Sequence, residues 1–167
     1  CTGYAYLVKA LASLSNLDCV IIHGYGKTST TDVDKLHAPN HSWNGVKLNG
    51  KWYLCDPTWE SGFQNPTTFA FSFQYNNGYF LAEPKLFAVN HFPANPEWLL
   101  LDKSAPTFAD FLNGPIIYGK AYTNLKLHHA PTALYNTVKK YEPIIFEYEL
   151  QNSINCEAIK LIIDNGH

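Results

Sequence analysis

The chain has 167 residues, 46% of them hydrophobic and 16% charged, with a net charge of −2 and a pI near 6.4. That length sustains one full core without disulfides or metal, and 4 Trp, 11 Tyr and 10 Phe at so low a charge exclude disorder. There is no basic field to hold nucleic acid or an anionic membrane, no apolar run near the roughly 20 residues of a membrane span, and no basic-plus-apolar pattern of a signal segment in residues 1–20.

Residues 1–14 place Tyr4, Leu7, Leu11 and Leu14 at helical spacing, with Ala5, Val8 and Ala12 beside them, and Asn16 to Asp18 reads as the stop. Cys19 to Tyr25 is short, β-branched and closed by glycine, which predicts a buried strand. Gly26 to Asn40 reads as a loop. Strands are expected over His41 to Leu48 and Lys51 to Asp56, and Asn49-Gly50 between them predicts a type I′ hairpin. Pro57 to about Asp102 is aromatic and irregular. Pro106 to Leu112 reads as a short helix ended by Gly114-Pro115. Beyond it, Ile144 to Leu150 alternates in the manner of a strand, and Glu157 to Asp164 reads as another. The fold class is therefore α+β: a helix packed on an antiparallel sheet, followed by a partial all-β domain for which an immunoglobulin-like sandwich is one reading. The expected boundaries are 1–101 for the core, 102–114 for a connector and 115–167 for the β-rich part. The lack of Met and the leading Cys1 predict a processed product or a fragment.

The hairpin allows a geometric test. With Asn49 and Gly50 as the loop, Trp43 faces Asp56 and His41 faces Thr58. His41, Trp43 and Asp56 then share one face, with His41 and Asp56 diagonal at ~7–8 Å between backbones, within reach of their side chains. A carboxylate accepting from a His ring nitrogen fixes the tautomer and stabilises the imidazolium, the orienter–base half of a catalytic triad. Four cysteines compete for the nucleophile. Cys55 falls on the opposite face with Asn44, Cys19 lies inside the buried strand, and Cys156 belongs to the β-rich part. Cys1 opens the first helix, where unpaired N–H groups and the positive dipole end lower a thiol pKa. The expected catalytic set is Cys1, His41 and Asp56, with Trp43 and Trp59 at the cleft.

Three blocks in this order, Cys1-Thr2-Gly3-Tyr4-Ala5, His41-Ser42-Trp43-Asn44 and Asp56-Pro57-Thr58-Trp59, resemble the transglutaminase-like (papain-related) superfamily. Gly24-Tyr25-Gly26-Lys27, Trp52-Tyr53-Leu54, Phe80-Leu81 and His91-Phe92-Pro93 followed by Trp98-Leu99-Leu100 are similar to its kyphoscoliosis-peptidase branch. The resemblance covers roughly residues 1–101. It implies a papain-like core, a β-rich domain downstream, and thiol acyl chemistry on a peptide or protein substrate: hydrolysis, or transfer of a glutamine acyl group to an amine. It also implies a further oxyanion donor upstream of the cysteine.

Other readings compete with these. A lipid-bearing cysteine would precede a flexible tether rather than a helix. An N-terminal amine acting as base would leave the His41–Asp56 pair without a role. His37 and His41 have H-x3-H spacing, but Pro39 breaks any helix, so no metal is expected; Asp32 and Asp34 read as a solvated loop. His91 has no inferable partner and reads as structural. A glycan on the sequon Asn40-His41-Ser42 would block the site. No cofactor is expected. Bacterial export and the cytoplasm both stay open as compartments. A catalytically silent scaffold module is the rival from another class.

Overall fold

The computed structural model describes residues 1–28, 30–65, 67–102 and 105–116, then 137–143, 145 and the strands Leu125–His129 and Glu147–Leu150. The expected strand Glu157 to Asp164 and Cys156 lie outside the described residues.

Helix α1 (Thr2–Leu14) is capped by Cys1 and ended by Asn16, whose φ of 56° reverses the chain. Strands β1 (Cys19–Gly26), β2 (His41–Leu48) and β3 (Lys51–Cys55) follow in an antiparallel meander. Asn49 and Gly50 both have positive φ (50° and 81°), the type I′ geometry the dipeptide predicts. Leu48 pairs with Lys51 and Asn44 with Cys55, so the expected register holds. Asp56 leaves the strand one residue earlier than expected, to cap the next helix. A short edge strand, β6 (His91–Pro93), pairs antiparallel with β1 and completes the sheet order β3-β2-β1-β6.

The aromatic stretch is more ordered than its sequence suggests. It holds α2 (Pro57–Ser61), the hairpin β4 (Gly62–Gln64) and β5 (Phe71–Phe73), α3 (Pro84–Asn90) and two 3₁₀ turns. These elements are too short for hydrophobic periodicity to register. Their starts are nevertheless written in the chain: Asp56-Pro57, Glu83-Pro84 and Asn95-Pro96 each place a capping side chain before a proline. Helix α4 (Phe108–Asn113) opens with a Thr107–Asp110 capping box. Beyond it, β7 (Leu125–His129) and β8 (Glu147–Leu150) form a separate antiparallel pair. No helix among the described residues is long and apolar enough to cross a membrane.

Ile22, Trp43 and Leu54, on one face of the sheet, pack with Tyr79, Ala82 and Phe87 as the main core. The opposite face carries Asn44, whose Nδ2 donates to the Ala5 carbonyl at 3.0 Å and to the Val20 carbonyl at 3.2 Å, fastening α1 to the sheet. Ala5 and Ala12 are the buried residues of α1, while its larger apolar side chains Tyr4, Leu7, Leu11 and Leu14 are exposed. A second cluster of Leu36, Ala88, Phe92, Leu99 and Phe111 anchors α4. Buried Lys27 donates to the Phe111 and Gly114 carbonyls at the end of α4.

Two outcomes follow from this packing. A Cβ on Gly24 would run into the Phe92 carbonyl oxygen and the Trp43 ring. Gly24→Ala should therefore cost about 3 kcal/mol in denaturant unfolding followed by tryptophan fluorescence, and an unchanged midpoint would contradict this account of the β1–β6 contact. Burial lowers the Lys27 pKa from 10.5 to about 8, so between those values the unfolded chain binds more protons and stability should rise with pH. The difference in stability between the wild type and Lys27→Met, measured across that window, should show this rise. Its absence would mean that the amine keeps its charge in the fold.

Candidate active site

The site forms where β2 begins and β3 ends. Asp56 follows β3 directly and is fully buried, at 0% exposure. Its Oδ1 accepts from the Thr58 N–H at 2.9 Å and the Trp59 N–H at 3.1 Å, capping α2. Its backbone N–H donates to the Tyr79 carbonyl at 3.0 Å. Its Oδ2 lies 2.6 Å from Nε2 of His41. The structure thus joins the two residues that the hairpin register placed on one face.

Oδ2 has a second partner that the sequence reading missed. Nε2 of His91, at the start of β6, lies 2.9 Å from the same oxygen. His91 pairs with Gly26 and His41 with Gly24, two residues apart on β1, so the two imidazoles point to the same side of the sheet. Gly26 leaves room for the ring of His41, whose atoms lie 3.0–3.1 Å from where a Cβ would stand. The pairing of β6 with β1 joins segments some 65 residues apart (His91 with Gly26), and no local pattern announces it. The one available signal was a second histidine directly after a capped, proline-started helix.

Aromatic rings wall the cluster. Trp59 stacks on His41 with centroids 5.0 Å apart at 25°. Trp43 lies beneath both imidazoles, 6.0 Å from His41 and 5.2 Å from His91, and is only 1% exposed. Of the two tryptophans expected at a cleft, Trp59 is the partly exposed one and Trp43 is part of the floor. Burial alone would raise the Asp56 pKa, but the hydrogen bonds from His41 and His91 more than reverse it and hold the carboxyl well below its usual range. Burial lowers the His91 pKa against the pull of the Asp56 hydrogen bond.

Cys1 stands at the N-cap of α1, exposed, and its sulfur contacts Thr2 Oγ1 at 4.0 Å. No side chain caps the first turn. Among the described residues Cys1 makes no hydrogen bond to His41. The other two described thiols are poor nucleophiles: burial raises the Cys19 pKa and pushes Cys55 to about 12. Asn40, beside His41, spends its amide on the Gly26 backbone, accepting at 2.7 Å and donating at 3.0 Å. Asp32 is occupied by Lys35 at 2.7 Å and by the Asp34 N–H.

His41, Asp56 and His91 also have the donor types of a metal site. Their separations of 2.6 and 2.9 Å are hydrogen-bond distances. Two donors on one ion, each bonded at ~2.0–2.2 Å, stand roughly 3.0–3.5 Å apart. As it stands, the arrangement is an acid–base cluster with one carboxylate and two imidazoles.

No protein-family model matches the chain. Kyphoscoliosis peptidase of Mus musculus is 35% identical over 150 residues, 88% of this chain and 22% of that protein. The Homo sapiens protein of the same name is 34% identical over the same shares. A LIM and transglutaminase domain protein of Caenorhabditis elegans is 26% identical over 113 residues, 60% of this chain and 16% of that protein. The chain spans about a fifth of the length of these curated relatives. The aligned stretch is long enough to hold the His41, Asp56 and His91 blocks together, and the chain belongs to the transglutaminase-like superfamily, on its kyphoscoliosis-peptidase-like branch.

Proposed function

We propose that this protein carries out thiol-dependent acyl chemistry on peptide or protein substrates, with hydrolysis favoured, through Cys1, His41 and Asp56. The observation that supports it most is the 2.6 Å contact of His41 Nε2 with a buried carboxylate. A proton held on Nε2 by Asp56 leaves Nδ1, which has no hydrogen-bond partner among the described residues, as the basic nitrogen. Cys1 is the exposed thiol at a helix end with free first-turn N–H groups, and Cys19 and Cys55 are disqualified by burial.

In this reading His41 Nδ1 takes the Cys1 proton, and the thiolate attacks the carbonyl carbon. The oxyanion is held by N–H groups of the first turn of α1. The C–N bond then breaks as His41 returns the proton to the leaving nitrogen. Water, deprotonated by the same imidazole, opens the thioester and releases the acid. An amine in place of water would give glutaminyl acyl transfer, the activity named in the LIM and transglutaminase domain relative. The corresponding fold reading is a papain-like core over 1–101, a connector over 102–114 and a β-rich part over 115–167, for which an immunoglobulin-like sandwich is one reading. The hairpin that follows α2 exposes Phe63, Phe71 and Phe73, apolar side chains suited to meeting a substrate peptide beside the Trp59 wall.

The test is alkylation of the full-length protein by iodoacetamide near pH 7, resolved by cysteine. Cys1 should label fastest, and His41→Ala should slow it by roughly 100-fold or more. Labelling of Cys1 with the profile of an ordinary thiol of pKa about 8.5, unchanged in His41→Ala, would overturn the enzyme reading in favour of a silent binding module. Amine incorporation, compared with release of free acid, separates transfer from hydrolysis.

A further inference from the structure

The chemistry above uses one imidazole, and the carboxylate holds two. His91 is 1% exposed, and its ring lies against Phe87 (3.9 Å between centroids), Trp59 (4.3 Å) and Trp43 (5.2 Å). Its centroid is 5.6 Å from that of His41. We propose that His91 is a positioning residue. As a neutral ring with its proton on Nε2, it donates to Asp56 Oδ2, locks the carboxylate for His41, and shares the carboxylate's charge so that His41 alone takes up and releases the working proton. The proposal rests on the reading of His41 as the base.

Three observations carry it. First, Asp56 holds two donors on each oxygen: two N–H groups of α2 on Oδ1 and two imidazoles on Oδ2. Without His91, Oδ2 would keep one partner, the one that must move protons. With it, the carboxylate is held at four points and cannot turn. Second, His91 has acceptors at both ring nitrogens, Asp56 Oδ2 at 2.9 Å and the Phe87 carbonyl at 3.3 Å from Nδ1. A neutral ring has one N–H. The charged acceptor at the shorter distance holds it more strongly than a neutral one at the edge of hydrogen-bond range. Third, two imidazolium ions on a single buried carboxylate would leave an uncompensated positive charge among aromatic rings, which burial opposes. His41, with a side chain 8% exposed against 0% for His91, is the ring that reaches water. Among the described residues, the ionisable groups near the cluster include the Tyr79 phenol, whose pKa burial raises, and Glu60, whose pKa is raised by burial and by the Asp56 charge.

An acceptor shared between two donors is weaker toward each. Removing the His91 donor should therefore strengthen the hydrogen bond between Asp56 Oδ2 and His41. A purely structural histidine has no such effect.

The experiment is nitrogen-15 NMR of the imidazole rings in the full-length protein. In the wild type, His91 should carry its proton on Nε2 and stay neutral through the range in which His41 titrates. A bare Nε2, or a His91 that charges before His41 as pH falls, overturns the proposal without any mutation. In His91→Phe the His41 midpoint should rise by about one pH unit, a tenfold gain in proton affinity. In His91→Gln, whose amide can still donate to Oδ2, it should return toward the wild-type value. An unchanged His41 midpoint in folded His91→Phe overturns the proposal. If that variant does not fold, the His91→Gln titration together with the wild-type tautomer decides. Neither readout involves Cys1, so failure of the thiol chemistry and failure of the His91 role are seen separately.

Discussion

Everything in the site depends on one buried carboxylate. Asp56 ends a strand, starts a helix and accepts from two histidines, with no exposure to solvent. An ionised carboxylate without partners in such surroundings would be costly to bury. Here each oxygen has two donors, and these offset the cost. The same arrangement binds three parts of the chain that arrive by different routes: the β2–β3 hairpin, α2 and β6. The residue that orients the imidazole is therefore also the residue that fastens the local fold.

That dual role explains the geometry around it. Asp56 can point its Oδ2 at His41 because its Oδ1 is held by the α2 backbone, and α2 in turn brings Trp59 to stack on His41. Gly24 and Gly26 let β6 and the rings of Trp43 and His41 crowd against β1, which brings His91 within reach. On the other face, Asn44 ties α1 to the sheet through the Ala5 carbonyl, four residues from Cys1. One sheet thus carries the His41–Asp56–His91 cluster on one face and helix α1 on the other.

Much of this was legible in the chain. The Asn49-Gly50 turn fixed the β2–β3 register, and the register alone put His41, Trp43 and Asp56 on one side and Cys55 on the other. The helix at residues 2–14, the strand β1 (only partly buried, with His23 exposed) and the short helix near residue 110 were readable from period, composition and capping. The hidden part shares one physical cause, pairing at long range. Nothing near His91 says that it will meet Asp56, because the β1–β6 contact depends on how β6 folds back. The helix α1 shows another limit: its spacing is helical, yet small Ala5 and Ala12 face the sheet while Leu7 and Leu11 do not. Close approach to Asn44 selects the small residues, which a hydrophobicity pattern ranks last.

The central claim is that Asp56 stays ionised because four donors hold it. Carbon-13 NMR of its side-chain carboxyl, followed as pH falls, tests this most directly. The account predicts no protonation of Asp56 through the ordinary aspartate range while the protein remains folded. A carboxyl that titrates near the ordinary aspartate value of about 3.9 in the folded protein would contradict it.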